Sequence, residues 1–285
     1  MKKLTVLFFL CIIPFIANAT IFEMSFGKWN IKFDDETKRA EFVKEGVTVL
    51  KDVKIKFKNG DVLLDASSYN SVKIKQEDIV DEVGKARKFT IEYTGSENSD
   101  NPIVYQNFYL YDGQDYFLTD VILQSPDNSI ISSNYIAPIS TEADNLFLPA
   151  DVNNRFITVP FDNDGFITYA SYPLSCSQTD PEPLAIGRVA RDSVSMEVSA
   201  IFNGETQLGL VIGSVDHDTW KSAVRITGSP LAQGKITNLE CFSGVTHHIT
   251  RDMIDGVLKP HGAVKGQQVK SARMIVHYSG DWRTG

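Results

Sequence analysis

A short acidic turn, Asp162-Asn163-Asp164-Gly165, concentrates side-chain oxygens in one place. Such oxygens could share a cation or accept hydrogen bonds from the hydroxyls of a sugar. A structural role would explain the same residues, because Asp and Asn side chains bond their own backbone in turns and Gly takes positive φ without strain. Two interpretations stay open: a turn alone, or a turn in which Asp162, Asn163 and Asp164 bind carbohydrate.

A second group combines Asp216, His217 and Asp218 with Trp220. Carboxylates beside a histidine favour its charged form, which is useful in acid–base chemistry. On a strand, however, Asp216 and Asp218 would share one face and His217 would point to the other. We therefore expect no catalytic dyad here. Trp220 could stack on a sugar ring or belong to the core, and both hypotheses stay open.

Signatures of cofactor, metal and nucleophile sites are missing from the sequence. There is no P-loop, nucleophile elbow or H-E-x-x-H motif, and we expect no cofactor. The acidic turn is not an EF-hand loop, because Gly165 stands fourth rather than sixth in it. Cys176 and Cys241 are too few for a cysteine zinc site. They could form a disulfide or remain two buried thiols.

The elements that must position these groups are strands. Apolar residues alternate at period two on both sides of the acidic turn, from Arg155 to Tyr169, which predicts a β-hairpin. Asn59-Gly60 and Asp112-Gly113 predict two more tight hairpins. The run Leu208 to Val215 is apolar enough to be buried on both faces. Many short strands without βαβ alternation predict an all-β fold, a large antiparallel sandwich of two sheets.

The first nineteen residues predict a secretory signal peptide. Lys2 and Lys3 precede an apolar run, and Ala17-Asn18-Ala19 is a small-residue cleavage site. Lipidation at Cys11 is disfavoured by Leu10 before it, and the run is too short for a confident membrane span. We expect an exported protein, periplasmic or secreted. Cleavage leaves 26 basic against 36 acidic residues, which argues against binding nucleic acid.

Five short motifs together resemble the N-terminal domain of the α-galactosidase-like glycoside hydrolases (family 36, clan D, the melibiase and raffinose-synthase relatives). Their order in the chain is Val159–Asp164, Gly209–Lys221, Thr250–Asp252, His261–Gly262 and Asp281–Arg283. The resemblance extends from about Ile21 to the end and is strongest after Phe147. It implies a β-supersandwich of the galactose-mutarotase type. It also implies that a (β/α)8 barrel with the catalytic aspartates normally follows.

The resemblance divides the chain into a signal peptide (1–19), the β-supersandwich (20–278) and the start of a linker (279–285) to a barrel absent from this sequence. No residue here matches the catalytic aspartates of the family, so we expect the chain alone to be inactive. Its expected partners are the barrel and an α-galactoside-like sugar, which Asp162, Asn163, Asp164 and Trp220 would contact.

Two alternatives to this domain assignment remain. The first is an independent carbohydrate-binding module, which would need an exposed aromatic platform made from Trp29, Trp220 and Trp282. The second is a small mutarotase-like enzyme, which would need histidines such as His217, His247 and His261 to converge with a glutamate. His247 and His248 are adjacent, so a strand would send them to opposite faces and they are poor joint ligands. His261, in a loop, and His277, in the last strand, are interpreted as structural.

Overall fold

The computed structural model describes residues 20–142, 148, 151–159, 170–174, 194–228, 235–248 and 258–285. Its first strands are β1 (Ile21–Phe26), β2 (Trp29–Asp34), β3 (Arg39–Lys44), β4 (Val47–Asn59), β5 (Val62–Asp65), β6 (Tyr69–Val80), β7 (Lys85–Ser96), β8 (Ile103–Tyr111), β9 (Tyr116–Gln124), β10 (Ile131–Ser133) and β11 (Ile136–Glu142). The remaining strands are β12 (Asn154–Thr158), β13 (Ala170–Pro173), β14 (Val194–Met196), β15 (Val198–Asn203), β16 (Gly209–Ser214), β17 (Lys221–Gly228), β18 (Ile236–His248), β19 (Leu258–Pro260), β20 (Val264–Gly266), β21 (Gln268–Lys270) and β22 (Met274–Ser279). Short 3-10 turns cover Ala66–Ser68 and Trp282–Thr284.

Two large antiparallel sheets form a sandwich, which confirms the predicted all-β fold class. Within the described residues, the first sheet runs β1-β2-β3-β4-β11-β18-β17-β14, with β5 beside β4 and β19 beside β18. The second runs β13-β12-β15-β16-β22-β9-β8-β7-β6, with β21 beside β9, and β10 pairs with β20 as a separate ribbon. No helix in these residues is long and apolar enough to cross a membrane. The predicted signal peptide lies outside them.

The core forms where alternating apolar side chains of the two sheets meet. Phe117 of β9 lies at its aromatic centre, with ring centroids 4.8 Å from Trp29 and 5.0 Å from Phe42 of the first sheet. Phe108 of the neighbouring strand lies 6.2 Å away. The edge-to-face contacts of Phe117 with Trp29 and Phe42 stabilise the fold in addition to the burial of apolar area. The pairing of the sheets therefore depends on rings that the period-two pattern points inward.

The two tight hairpins predicted from Asx-Gly pairs are confirmed. β4 and β5 pair around Gly60, and β8 and β9 pair around Gly113, both glycines having positive φ. Two residues, Asn134 and Tyr135, separate β10 from β11. The carbonyl of Asn134 lies so close to Gly244 that a Cβ on residue 244 would clash with it.

A charged contact ties the two sheets together at one end. The carboxylate of Asp115, in the β8–β9 turn, lies 2.8 Å from Nζ of Lys28 and 2.5 Å from Nζ of Lys44. Hydrogen bonds from Lys28 and then Lys44 outweigh burial and lower the pKa of Asp115 to about 2. The folded state therefore stabilises the ionised carboxylate.

The substitution Asp115→Asn should make the free energy of unfolding less dependent on pH in the acidic range. A carboxyl whose pKa falls on folding stabilises the protein above its unfolded pKa, and this contribution is lost as the pH falls towards about 2. Because the side chain is 41% exposed, the contribution is at most about 1 kcal/mol. Urea unfolding of Asp115→Asn between about pH 6 and pH 2.5 should show a flatter pH dependence than the parent. An equal slope for Asp115→Asn and for the exposed neighbour Asp112→Asn would contradict this.

Candidate functional site

The acidic turn predicted as a sugar site, Asp162, Asn163 and Asp164, lies outside the described residues. Its flanking hairpin is partly described: β12 pairs antiparallel with β13, from Arg155 opposite Pro173 to Thr158 opposite Ala170. The predicted return strand, from Phe166 to Tyr169, lies outside the described residues, and the strand that pairs with β12 begins just after it, at Ala170. Binding by the turn itself stays a prediction.

Asp216 and His217 lie in the loop after β16 rather than on a strand, and they have different partners. Asp216 accepts hydrogen bonds from the backbone N–H (2.9 Å) and Nε (3.0 Å) of Arg273. Nε2 of His217 lies 3.1 Å from Oγ of Ser214 and 3.6 Å from a carboxylate oxygen of Glu197. The strand geometry used to separate these residues was wrong, since β16 ends at Ser214. The inference that they form no catalytic dyad agrees with these contacts.

Trp220 immediately precedes β17 and is only 4% exposed. Its indole ring meets the His261 ring edge-on at 5.8 Å between centroids, and its Nε1–H has no hydrogen-bond partner in the part of the chain that the structure describes. A small cleft with a volume of about 80 Å³ lies beside it, also lined by Asp218 and Lys270. Trp220 thus presents little surface to solvent, although it borders a polar cleft.

The other groups needed by the two alternative functions are not brought together. Trp29 is buried in the inter-sheet core, and Trp282 stacks on Phe202 with ring centroids 4.3 Å apart. With Trp220 also buried, these tryptophans form no exposed platform. The contact between His217 and Glu197 involves exposed side chains and has the character of a surface ion pair. The side chain of His247 lies outside the described part of the chain.

Cys241 lies on the core face of β18, fully buried as a free thiol, with its Sγ 3.3 Å from Sδ of Met274. Burial raises the pKa of this thiol, so it remains protonated and unreactive. Cys241 thus has the state expected of a buried thiol rather than of a disulfide partner, and Cys176 lies outside the described residues.

A charged group that the sequence analysis missed lies on the outer face of the first sheet. Glu240 is next to Cys241 on β18 but points the other way, and its side chain is 8% exposed. It accepts hydrogen bonds from Nη1 of Arg225 at 2.6 Å, Nζ of Lys56 at 3.0 Å and Oγ of Ser140 at 3.3 Å. We call these four residues the Glu240 cluster.

Sheet register explains why these residues meet. Ser140 of β11 lies opposite Glu240, and Glu240 lies opposite Arg225 of β17, so the three form one row across the sheet. An aromatic pair borders this row. The Phe242 ring lies 4.9 Å from the guanidinium of Arg225 and 5.3 Å from the Tyr135 ring.

The positive charges of Lys56 and Arg225 keep the carboxyl group of Glu240 ionised. Burial alone would raise the pKa of its carboxyl, but hydrogen bonds and charges from Lys56 and Arg225 outweigh burial and bring the pKa below the ordinary range. A general base for reactions near neutral pH needs a pKa close to the working pH. Glu240 therefore holds Lys56 and Arg225 in place rather than moving protons. Within the described residues, no group of His, Cys, Asp and Glu side chains could hold a metal ion.

The sequence contained a signal for this cluster. Glu240 stands between apolar Leu239 and Cys241, and a carboxylate in a buried strand requires a partner. The signal identifies Glu240 as unusual. It does not identify Lys56, which is far away in the sequence.

The chain shares its fold with parts of larger glycosidases. It matches the α-N-acetylgalactosaminidase NagBb of Bifidobacterium bifidum bound to Gal-NHAc-DNJ with a TM-score of 0.55 and 11% identity, over 90% of this chain and 35% of that one. The same enzyme bound to GalNAc gives 0.52 and 13%, with the same coverage. A GH36 α-galactosidase, AgaA of Geobacillus stearothermophilus, bound to 1-deoxygalactonojirimycin, gives 0.50 and 9%, over 91% of this chain and 40% of that one.

This chain thus spans little more than a third of the length of these enzymes. At these identities the likeness shows a common fold. No protein-family model and no curated protein sequence matches the chain.

Proposed function

We propose that this chain is the non-catalytic β-sandwich domain of an exported glycoside hydrolase of the α-galactosidase type. In this proposal, a (β/α)8 barrel elsewhere in the same protein carries the catalytic carboxylates, and the sandwich packs against it. The substrate would be an α-galactoside or a related α-N-acetylgalactosaminide. A second, finer part is that Asp162, Asn163, Asp164 and Trp220 form one wall of the sugar site.

One observation carries the domain assignment. The fold covers about nine-tenths of this chain but only 35–40% of the glycosidases that share it. Those enzymes therefore contain a large part that this sandwich does not represent. The five ordered motifs, from Val159–Asp164 to Asp281–Arg283, support the same assignment from the sequence.

The non-catalytic role agrees with the chemistry of the described side chains. Retaining glycosidases need two carboxyl groups across the scissile bond, about 5 Å apart, one of them able to give and take a proton. Glu240 is held ionised by two cations, and Asp216 is held by Arg273. Glu240 shares Lys56 with Glu142, and Asp216 shares Arg273 with Glu82, so each of these carboxylates is paired with a cation.

The proposal that Trp220 forms part of the sugar-site wall rests on its position beside a cleft, not on solvent exposure of its side chain. Trp220 borders the cleft that Asp218 and Lys270 line, and its unpartnered indole N–H could donate to a ligand oxygen if the cleft opened. A buried donor left without a partner costs free energy, which a bound hydroxyl would recover. This feature keeps Trp220 among the proposed sugar contacts although it is not an exposed platform.

The test compares this chain with the longest protein that its gene encodes, using p-nitrophenyl α-galactoside and α-N-acetylgalactosaminide. We expect the longer protein to hydrolyse at least one substrate and this chain alone to hydrolyse neither. In the longer protein, Asp162→Asn and Trp220→Phe should each raise KM by about threefold or more, because each removes a contact to the substrate. Asp112→Asn, in another Asx-Gly turn, is the matched control.

Each part of the proposal can fail separately. Turnover by this chain alone would contradict the non-catalytic role. A longer protein without a catalytic barrel, or with no activity on either substrate, would contradict the domain assignment or the substrate class. Kinetics of Asp162→Asn and Trp220→Phe that equal those of Asp112→Asn, with unchanged melting temperatures, would make the proposed wall residues structural.

A further inference from the structure

The outer face of the second sheet carries an apolar row that crosses five strands. Sheet register places Val198 of β15 opposite Gly213, Gly213 opposite Ile275 of β22, Ile275 opposite Leu118, and Leu118 opposite Tyr109 of β8. This row points away from the core, since Met274 and Val276, the chain neighbours of Ile275, belong to the core. The solvated face of an antiparallel sheet is normally polar.

A second row lies beside the first. Val211 of β16 is opposite His277, and His277 is opposite Tyr116 of β9. The Tyr116 ring lies 5.9 Å from that of Tyr111, between centroids. We call the surface formed by Val198, Val211, Ile275, Tyr116, Tyr109 and Leu118 the apolar outer face.

Part of this face is covered by the chain itself. The tip of the β6–β7 hairpin folds over it, where Oδ2 of Asp81 accepts a hydrogen bond of 2.7 Å from Tyr111 and Glu82 lies 3.1 Å from Arg273. Leu118 and Tyr111 are consequently buried. Tyr109, Tyr116, Val211 and Ile275 remain only half-buried, and Val198 is 37% exposed.

The apolar sequence of β16 indicates that a further packed layer covers this face in the complete protein. Its apolar run predicted burial on both faces, yet only Leu210 and Ile212 lie in the inter-sheet core. Val211 and Gly213 face the other side. A strand with this composition usually has a packed layer on each face.

The last described residues lie on the same side of the sheet. Trp282 stacks on Phe202 of β15, and its Nε1 donates to Oε1 of Gln207 at 3.2 Å. Gly209 permits this contact, because a Cβ there would lie 2.6 Å from Cβ of Trp282. Gly285 is then directly above Val211 and His277, where a Cβ would lie within 3 Å of both side chains.

We infer that the apolar outer face is the surface on which the catalytic domain of the same protein docks. This inference rests on the proposed function, which supplies that domain. The face combines an apolar centre with a charged rim, formed by Glu197, His217 and Lys221 on one side and by Arg273 and Glu82 on another. That arrangement is the usual anatomy of a protein–protein interface.

The test measures thiol labelling of Val198→Cys by a maleimide reagent. In this chain alone the new thiol should react readily, because Val198 is 37% exposed. In the longer protein from the same gene, its rate should fall by about tenfold or more, since a packed interface excludes solvent. Val62→Cys is the matched control: Val62 is 60% exposed on β5 of the other sheet and should react equally in both proteins. The unmodified chain supplies the background from the native cysteines.

The outcomes separate this inference from the proposed function. If the longer protein contains an active catalytic domain but Val198→Cys reacts equally fast in both proteins, the docking surface is wrong and the function stands. If this chain alone sediments as a dimer and Val198→Cys is protected only in the dimer, the occupant is a second copy and the inference is overturned. A longer protein without any catalytic domain overturns both.

Discussion

Glu240→Ala should lower the free energy of unfolding by about 3 kcal/mol, because removing one partner of a buried ion pair leaves the other charge uncompensated. Nζ of Lys56 would lose its contact of 3.0 Å, and Nη1 of Arg225 its contact of 2.6 Å. Lys56 would keep only the longer contact with Glu142, at 3.4 Å. Urea unfolding followed by circular dichroism at neutral pH measures this loss.

Two further variants make the Glu240 result specific. Glu240→Gln keeps the shape and one acceptor, so its loss should be smaller than that of Glu240→Ala. Glu77→Ala breaks a pair with Lys88 of 3.1 Å in which Glu77 is 60% exposed, and should cost less than about 0.5 kcal/mol. If Glu240→Ala and Glu77→Ala cost the same, the Glu240 cluster does not stabilise the sheet.

Phe117→Ala should be the most destabilising of the variants considered, at about 4 kcal/mol, since it removes a large buried ring and leaves a cavity. The ring contacts Trp29 and Phe42 across the two sheets and Phe108 within its own. Side chains of both sheets surround the ring, so the cavity should collapse little. The free energy of unfolding in urea is the measurement, with Phe117→Leu as a variant that refills part of the space.

Phe22→Ala is the matched control for this core substitution, because Phe22 on edge strand β1 is 36% exposed. Its loss should be within about 1 kcal/mol, as expected for an aromatic side chain that is only partly buried. A Phe117→Ala variant no less stable than Phe22→Ala would show that the aromatic centre does not hold the two sheets together.

The sequence predicted the class of fold and several of its turns because these depend on local patterns. Alternation at period two sets which side chains share a face, whatever strand lies beside them. Asn59-Gly60 and Asp112-Gly113 specify tight turns through backbone conformations that few other residues adopt.

The candidate sites were less predictable, for a related reason. The sequence left Trp220 either stacking on a sugar or belonging to the core, and its burial follows from the packing of the loop after β16 against His261. Asp216 seemed to belong with His217, but its partner is Arg273, fifty-seven residues later. Short-range spacing says little about contacts that form when distant segments meet.

The amino-acid sequence by itself determined an all-β sandwich, the positions of its tight hairpins and the inward-pointing residues of each strand. Only the tertiary structure decided which strands are neighbours, and with them the Glu240 cluster and the apolar outer face. Glu240 meets Lys56 because β4, β11 and β18 lie side by side, although 184 positions separate the two residues. Strand alternation is a property of the local backbone, whereas strand order is chosen by the burial of the whole core, and no short segment contains that information.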